Sequence, residues 1–170
     1  MAEPKRCEVA GVHLSRRAWV ILACVLAGGL LFSYHYRIGI VSGESMVPSF
    51  KAGDCFLLSK RAYKTAEPRR GDVVVARVGG ELIIKRIVGL PGEDIEFKTG
   101  RLYVNDRPCV ERQELRAGAL TIGRGRLGSG KFAVVGDNRA VPASQLLHPV
   151  VSREQLLGKV VWTMPTHYPR

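Results

Sequence analysis

The sequence predicts a mainly β protein, an antiparallel β-sheet or barrel-like domain preceded by one transmembrane helix. Three observations carry this. An uncharged apolar run occupies residues 18–36 of the 170. The remainder breaks into short segments rich in β-branched and aromatic residues, separated by Gly, Pro, Asn and Asp. None of those later segments is long and periodic enough for a crossover helix, so sequential strands are expected to pair antiparallel.

Residues 1–17 form a short basic tail carrying Lys5, Arg6, Arg16 and Arg17. The run that follows, "AWVILACVLAGGLLFSYHY", has no Lys, Arg, Asp or Glu. As a helix it reaches about 28 Å, close to the roughly 30 Å hydrocarbon core of a bilayer. Trp19 at one end and Tyr34 and Tyr36 at the other suit the two interfaces, and Gly28 and Gly29 are tolerated in a membrane helix. After the run only Arg37 precedes Lys51, so the positive-inside rule places the N-terminus in the cytoplasm. The expectation is a single-pass protein of the plasma (inner) membrane, with residues 37–170 as a β-rich domain on the extracytoplasmic or periplasmic side. A cleaved signal peptide is the competing reading. The exit "LLFSYHY" offers no small-x-small site, so the run is read as a retained anchor.

In the outer domain, "CFLLSKRAY" (55–63), "DVVVARV" (72–78), "ELIIKRIV" (81–88), "DIEFK" (94–98), "RLYVN" (101–105), "KFAVVG" (131–136) and "KVVWTM" (159–164) read as strands. A hairpin is expected to turn at Thr99-Gly100. Residues 111–130 have five glycines and no clear period, and read as an irregular loop; residues 140–152 read as another. "SREQLLG" (152–158) fits one helical turn capped by Ser152.

The net charge is +11, from 26 Lys and Arg against 15 Asp and Glu. Such an excess suits an anionic surface. No aromatic-rich RNA motif or zinc-finger spacing accompanies it, so anionic membrane lipid is the expected partner and nucleic acid is not. A solvated basic surface without a partner remains the plain alternative. No C-x-x-C spacing or histidine cluster points to a metal, and no cofactor is expected. Cys55 and Cys109 fall on the side where a disulfide is chemically allowed, and their pairing is open.

The stretch "SGESMVPSF" (42–50) raises the question of a nucleophile, because Ser45 lies just beyond the apolar run. A serine needs a base. In "ELIIKRIV", alternation puts Ile83, Lys85 and Ile87 on one face of the strand. If that face is core, Lys85 is desolvated and its pKa falls, leaving a neutral amine able to accept a hydroxyl proton. Serine-lysine dyads are a known variant of the catalytic triad. The alternative is a Lys85 that snorkels to solvent from a half-buried strand.

Taken together, "SGESMVPSF", "RGDVVVAR", "KRIVGLPGEDI" and "VVGDNR" resemble, in order and spacing, the signature boxes of bacterial-type type I signal (leader) peptidases. The resemblance covers roughly residues 16–164. It implies Ser45 as nucleophile, Lys85 as general base and the backbone N–H of Ser45 as an oxyanion donor. It also implies that Met46, Gly43, Ile84, Gly136 and Asn138 shape the substrate site. Arg86 and Asp137 would pair as structural residues beside it. Its substrates would be the signal peptides of preproteins with small residues at positions −1 and −3, cut through an acyl-enzyme without a cofactor.

Two departures stand out. Gly43 occupies the position where some relatives carry a hydroxyl residue as second oxyanion donor. After "GDNR" the chain reads "AVPASQLLHPV", where many relatives have a Ser- and Asp-containing run ending in Asp-Ser-Arg; Ser144 is the candidate substitute. Three other readings are therefore carried: a specialised peptidase for pilin or conjugative-transfer substrates, a non-catalytic tethered binding domain with vestigial dyad positions, and a self-cleaving repressor. The last needs a DNA-binding helix-turn-helix, and residues 18–36 occupy its place.

Overall fold

A computed structural model describes residues 15–141 and 149–165. The apolar run is a helix, α1, Arg16–His35. It starts two residues before the expected span and stops one short of its end, because Tyr36 already pairs as a strand residue with Ser59. None of its residues is buried, and its large apolar side chains, Leu30 and Val25 among them, are exposed. An apolar surface on every side with no protein cover suits hydrocarbon surroundings.

From Tyr36 onward the chain is a β domain. Its strands are β1 (Tyr36–Ile40), β2 (Cys55–Ser59), β3 (Val73–Val78), β4 (Glu81–Gly89), β5 (Asp94–Lys98), β6 (Arg101–Val104), β7 (Arg107–Pro108), β8 (Ile122–Arg126), β9 (Lys131–Val135), β10 (Val150–Ser152) and β11 (Leu156–Met164). A short helix, α2 (Ala62–Thr65), follows β2. Seven strands form one sheet in the order β1-β2-β11-β3-β4-β9-β10, and four form a second in the order β7-β6-β5-β8. Among the described residues, these strands all pair antiparallel, as expected.

The core explains why β3 reads "VVVARV" without clean alternation. Val73 and Val75 pack on one face with Met46, Phe50, Phe56, Leu58 and Val160. Val74, Ala76 and Val78 pack on the other with Ile87, Phe132, Val134 and Val151. A strand covered on both faces can be apolar at every position. A third cluster joins the second sheet (Ile95, Phe97, Leu102) to Val88 of β4 and to Ala133 and Val135 of β9. Strand β4 therefore belongs to all three clusters, and Lys85 sits at its middle.

The hairpin at Thr99-Gly100 forms with Lys98 opposite Arg101. A 3-10 turn, Arg153–Gln155, follows Ser152, whose backbone N–H donates to the Gln155 side chain at 2.7 Å. Three expectations need correction. Residues 55–63 are not one strand: β2 stops at Ser59, and α2 is fixed by Tyr63, whose hydroxyl donates to Asp72 Oδ2 at 3.0 Å. Residues 111–130 contain β8, an edge strand of sequence "IGRGR" paired to β5. Local propensity opposes it, but Arg124 bridges Asp94 at 2.8 Å and Asp106 at 2.7 Å and pins it in place. Within the expected loop 140–152, Val150–Ser152 pairs with β9. Cys55 and Cys109 are both free thiols.

Candidate active site

Ser45 lies in the tight turn between β1 and β2, half-buried. The turn is held by Val47 N–H donating to the Glu44 carbonyl at 3.2 Å and Phe50 N–H to the Met46 carbonyl at 2.9 Å. Met46 and Phe50 anchor it from below, since both are buried in the core cluster. Met46, expected to shape the substrate site, is fully buried beneath the surface, and its contribution is to seat the turn.

Lys85 occupies β4 opposite Val74. Its same-face neighbours Ile83 and Ile87 belong to the apolar cluster around Val74 and Phe132. Among the described residues no carboxylate forms a salt bridge with its amine. Burial pushes the Lys85 ammonium below its ordinary pKa, and the Asp137 carboxylate pulls it part of the way back. Desolvation dominates because the charged form loses water that the isoleucines cannot replace.

The segments that carry the two residues are joined through β9. That strand pairs with β4 at Arg86↔Val135 and Ile87↔Val134, so the next residue in register beside Lys85 is Gly136. Gly136 in turn touches the Ser45 turn: a Cβ there would stand 2.0 Å from the Ser45 carbonyl oxygen. Asn138 completes the join, with its backbone N–H donating to Ser45 O and its side-chain amide to Glu44 O, both at 3.1 Å. The turn carrying the serine is thus laid against the end of the strand next to the lysine.

Arg86 and Asp137 form a two-point ion pair, Nε to Oδ1 at 2.9 Å and Nη2 to Oδ2 at 2.6 Å. Asp137 is fully buried, and Arg86 also donates to the Gly71 carbonyl at 2.8 Å. Gly43 is exposed with φ of +86°, a backbone conformation that favours glycine. Ser144 lies outside the described residues.

Ser45 and Lys85 both line one cleft of about 460 Å³. Its walls are β1 from Arg37 to Ile40 and β4 from Leu82 to Lys85, with Phe56, Leu58 and Val75 also lining it. Ile84 is on this wall, and Ser42 also lines the cleft. β1 pairs only with β2, and β9 pairs with β4 only from Arg86 onward. Among the described residues, both walls therefore present a strand edge with no strand partner. Extended peptide is the natural complement of such edges. No group of three or more His, Cys, Asp or Glu suited to a metal occurs among the described residues.

Arg37 and Phe56 on the cleft, and the ion pair of Arg139 with Glu111, were not anticipated from the sequence. Arg139 is 1% exposed and donates to Glu111 at 2.5 and 3.0 Å. It stands inside the quoted "VVGDNR", but an arginine next to a turn reads as solvated, and nothing local marks Glu111.

The sequence profile described as signal peptidase, peptidase S26, matches residues 14–164. The chain is 32% identical over 160 residues to signal peptidase I of Bacillus caldolyticus, covering 85% of this chain and 87% of that one. It is 31% identical over 134 residues to signal peptidase I U of Bacillus subtilis (strain 168), covering 71% and 72%. A crystal structure of a signal peptidase I from Enterococcus faecalis V583 aligns with TM-score 0.47 and 21% identity over 56% of this chain and 98% of that one.

Proposed function

The chain belongs to the signal peptidase family, peptidase S26, and from that premise we propose that it is a membrane-bound serine endopeptidase that removes signal peptides from exported preproteins, with Ser45 as nucleophile and Lys85 as general base. The observation that carries the reading is that Ser45 and Lys85 line one cleft; burial, which lowers the lysine pKa, supports it.

A neutral Lys85 amine takes the Ser45 hydroxyl proton as Oγ attacks the scissile carbonyl. The tetrahedral centre collapses to an acyl-enzyme as the same proton passes to the leaving amine. Water, deprotonated by the amine, then attacks the ester and restores Ser45. Developing charge on the carbonyl oxygen is met by the Ser45 backbone N–H. Gly43 brings no hydroxyl to this site, so a second donor must come from another residue.

The substrate lies extended between the free edges of β1 and β4. Alternate residues of an extended chain share a face, so positions −1 and −3 both point to the cleft floor. Phe56 and Ile84 both line the cleft, and small side chains are the expected occupants beside them. The Arg16–His35 helix serves as a single-pass anchor with the basic N-terminal side in the cytoplasm, leaving the β domain outside. Tethering raises the effective concentration of enzyme where exported chains emerge. The surplus positive charge favours anionic headgroups.

The test is cleavage of a preprotein in detergent micelles by the wild type, Ser45→Ala and Lys85→Ala. Cutting by the wild type alone, after a small-x-small site, is expected. An active Ser45→Ala protein overturns the reading. Orientation is checked separately by protease access to residues 37–170 in sealed cells, where external cleavage is expected.

A further inference from the structure

We propose that Glu111 is a positioning residue for the Ser45 turn, acting through Arg139; the assignment rests on the reading of Ser45 as nucleophile. Arg139 is a buried cation whose guanidinium has four acceptors. Nε donates to the Gly136 carbonyl at 3.0 Å and Nη1 to the Gly100 carbonyl at 3.2 Å. Nη1 and Nη2 donate to Glu111 Oε2 and Oε1 at 3.0 and 2.5 Å. Its carbon lies 5.0 Å from the Phe97 ring centroid. Glu111 is itself mostly shielded and is held by Gln113 Nε2, which donates to Oε1 at 3.0 Å.

Carbonyls and a ring face can orient a guanidinium but cannot neutralise it. A buried cation without a counter-charge is strongly disfavoured and moves toward water. Glu111 therefore decides whether Arg139 stays where it can hold Gly136. The backbone reinforces the same junction. Arg116 N–H donates to Asp137 O at 3.0 Å, and Arg139 N–H donates to Arg116 O at 2.9 Å. The irregular segment after β7 thus lies as a strap along Asp137–Arg139, with Glu111 at its anchored end.

The path to chemistry is short. Glu111 holds Arg139, Arg139 holds the Gly136 carbonyl, and Gly136 and Asn138 bear on the Ser45 carbonyl. Shifts of about 1 Å at a reacting group can cost on the order of 100-fold in rate. Of the residues in this chain of contacts only Ser45 lines the cleft. Loss of Glu111 should therefore act on kcat and spare KM.

The experiment uses the full chain in detergent micelles and a preprotein substrate. Wild type, Glu111→Gln, Glu111→Asp and Ser45→Ala are compared, with rates expressed per folded molecule and the folded fraction taken from tryptophan fluorescence. For Glu111→Gln, kcat is expected to fall about 10- to 100-fold with KM within about two-fold. Glu111→Asp, which keeps the charge on a shorter arm, should recover part of that loss. A purely structural role lowers the folded fraction and leaves kcat per folded molecule unchanged; that result, or a change confined to KM, overturns the proposal. If Glu111→Gln does not fold, Glu111→Asp decides: a reduced kcat at unchanged KM supports the proposal and a wild-type kcat overturns it. Activity in Ser45→Ala sinks the nucleophile and the positioning role together. An inactive Ser45→Ala beside a wild-type kcat in Glu111→Gln sinks the positioning role alone.

Discussion

The backbone N–H of Asn138 donates to the carbonyl oxygen of Ser45 at 3.1 Å, although the two residues are far apart in the chain. That bond lies beside the closest approach in the site, where Gly136 leaves no room for a side chain above the same carbonyl.

Gly136→Ala should be a local and severe change. Its Cβ would meet the Ser45 oxygen at 2.0 Å, and backbone on both sides must give way. Overpacking of this kind costs about 1–3 kcal/mol. The domain is expected to remain folded by circular dichroism, while preprotein cleavage falls about 100-fold, as displaced reacting groups lose rate steeply. A variant with wild-type kcat would contradict the placement of Ser45 by this contact.

As the proposed base, Lys85 would act only when neutral, so cleavage should rise with pH through its folded pKa, which burial sets below the ordinary lysine value. Lys85→Arg should be inactive across the neutral range, because an arginine stays protonated. Stability moves the opposite way. The unfolded chain binds the Lys85 proton more tightly than the folded one, so this lysine costs stability below its folded pKa. The cost fades as pH rises from there to the ordinary value. Lys85→Met should therefore be inactive but melt a few degrees higher near pH 7, as about 1 kcal/mol shifts Tm by roughly 2–4 °C in a domain of this size. Differential scanning calorimetry at pH 7 and pH 10 checks this; a lower Tm at pH 7 would contradict a desolvated lysine.

Asp137→Asn should act on both stability and pH dependence. It leaves the Arg86 guanidinium, largely buried, without its counter-charge. Breaking a buried pair from one side costs about 3–5 kcal/mol, measurable as a lower urea midpoint. Asp137 also raises the Lys85 pKa, so removing its charge should move the acidic limb of the cleavage profile to lower pH. A limb that moves to higher pH would refute the electrostatic link.

Gly39→Val should change substrate binding more than chemistry. A Cβ at Gly39 would stand 2.4 Å from the Phe56 ring, and both residues line the cleft. The ring must swing away and reshape the floor. KM is expected to rise about ten-fold with kcat within about three-fold, the pattern of lost ground-state binding. Steady-state kinetics on one preprotein decides it, and an unchanged KM would remove Phe56 from the substrate path.

Much of this protein was legible because it is written in local pattern. The apolar run predicted α1 to within two residues of its ends, because an uncharged stretch of that length has few other solutions. Turn residues and β-branched runs placed β3, β4, β5 and β6 and the hairpin between the last two. Alternation around Lys85 already placed it between two isoleucines. Elements with weak local preference were not legible: β8 is "IGRGR", held by the β5 backbone and two carboxylates, and β1 hides at the end of an apolar helix.

The sequence by itself determined a membrane-length helix, an antiparallel β class and two residues, Ser45 and Lys85, suited to act on one another. Only the tertiary structure decided how they are brought together. Both line one cleft, and β9 ends at Val135 opposite Arg86, which sets Gly136 and Asn138 against the serine carbonyl. Arg139 and Glu111 became visible only with that junction, since a buried ion pair is chosen by what surrounds it and not by its neighbours in the chain. Strand pattern says which face a residue takes; which distant loop closes over that face depends on long-range pairing, whose partners no local stretch of sequence names.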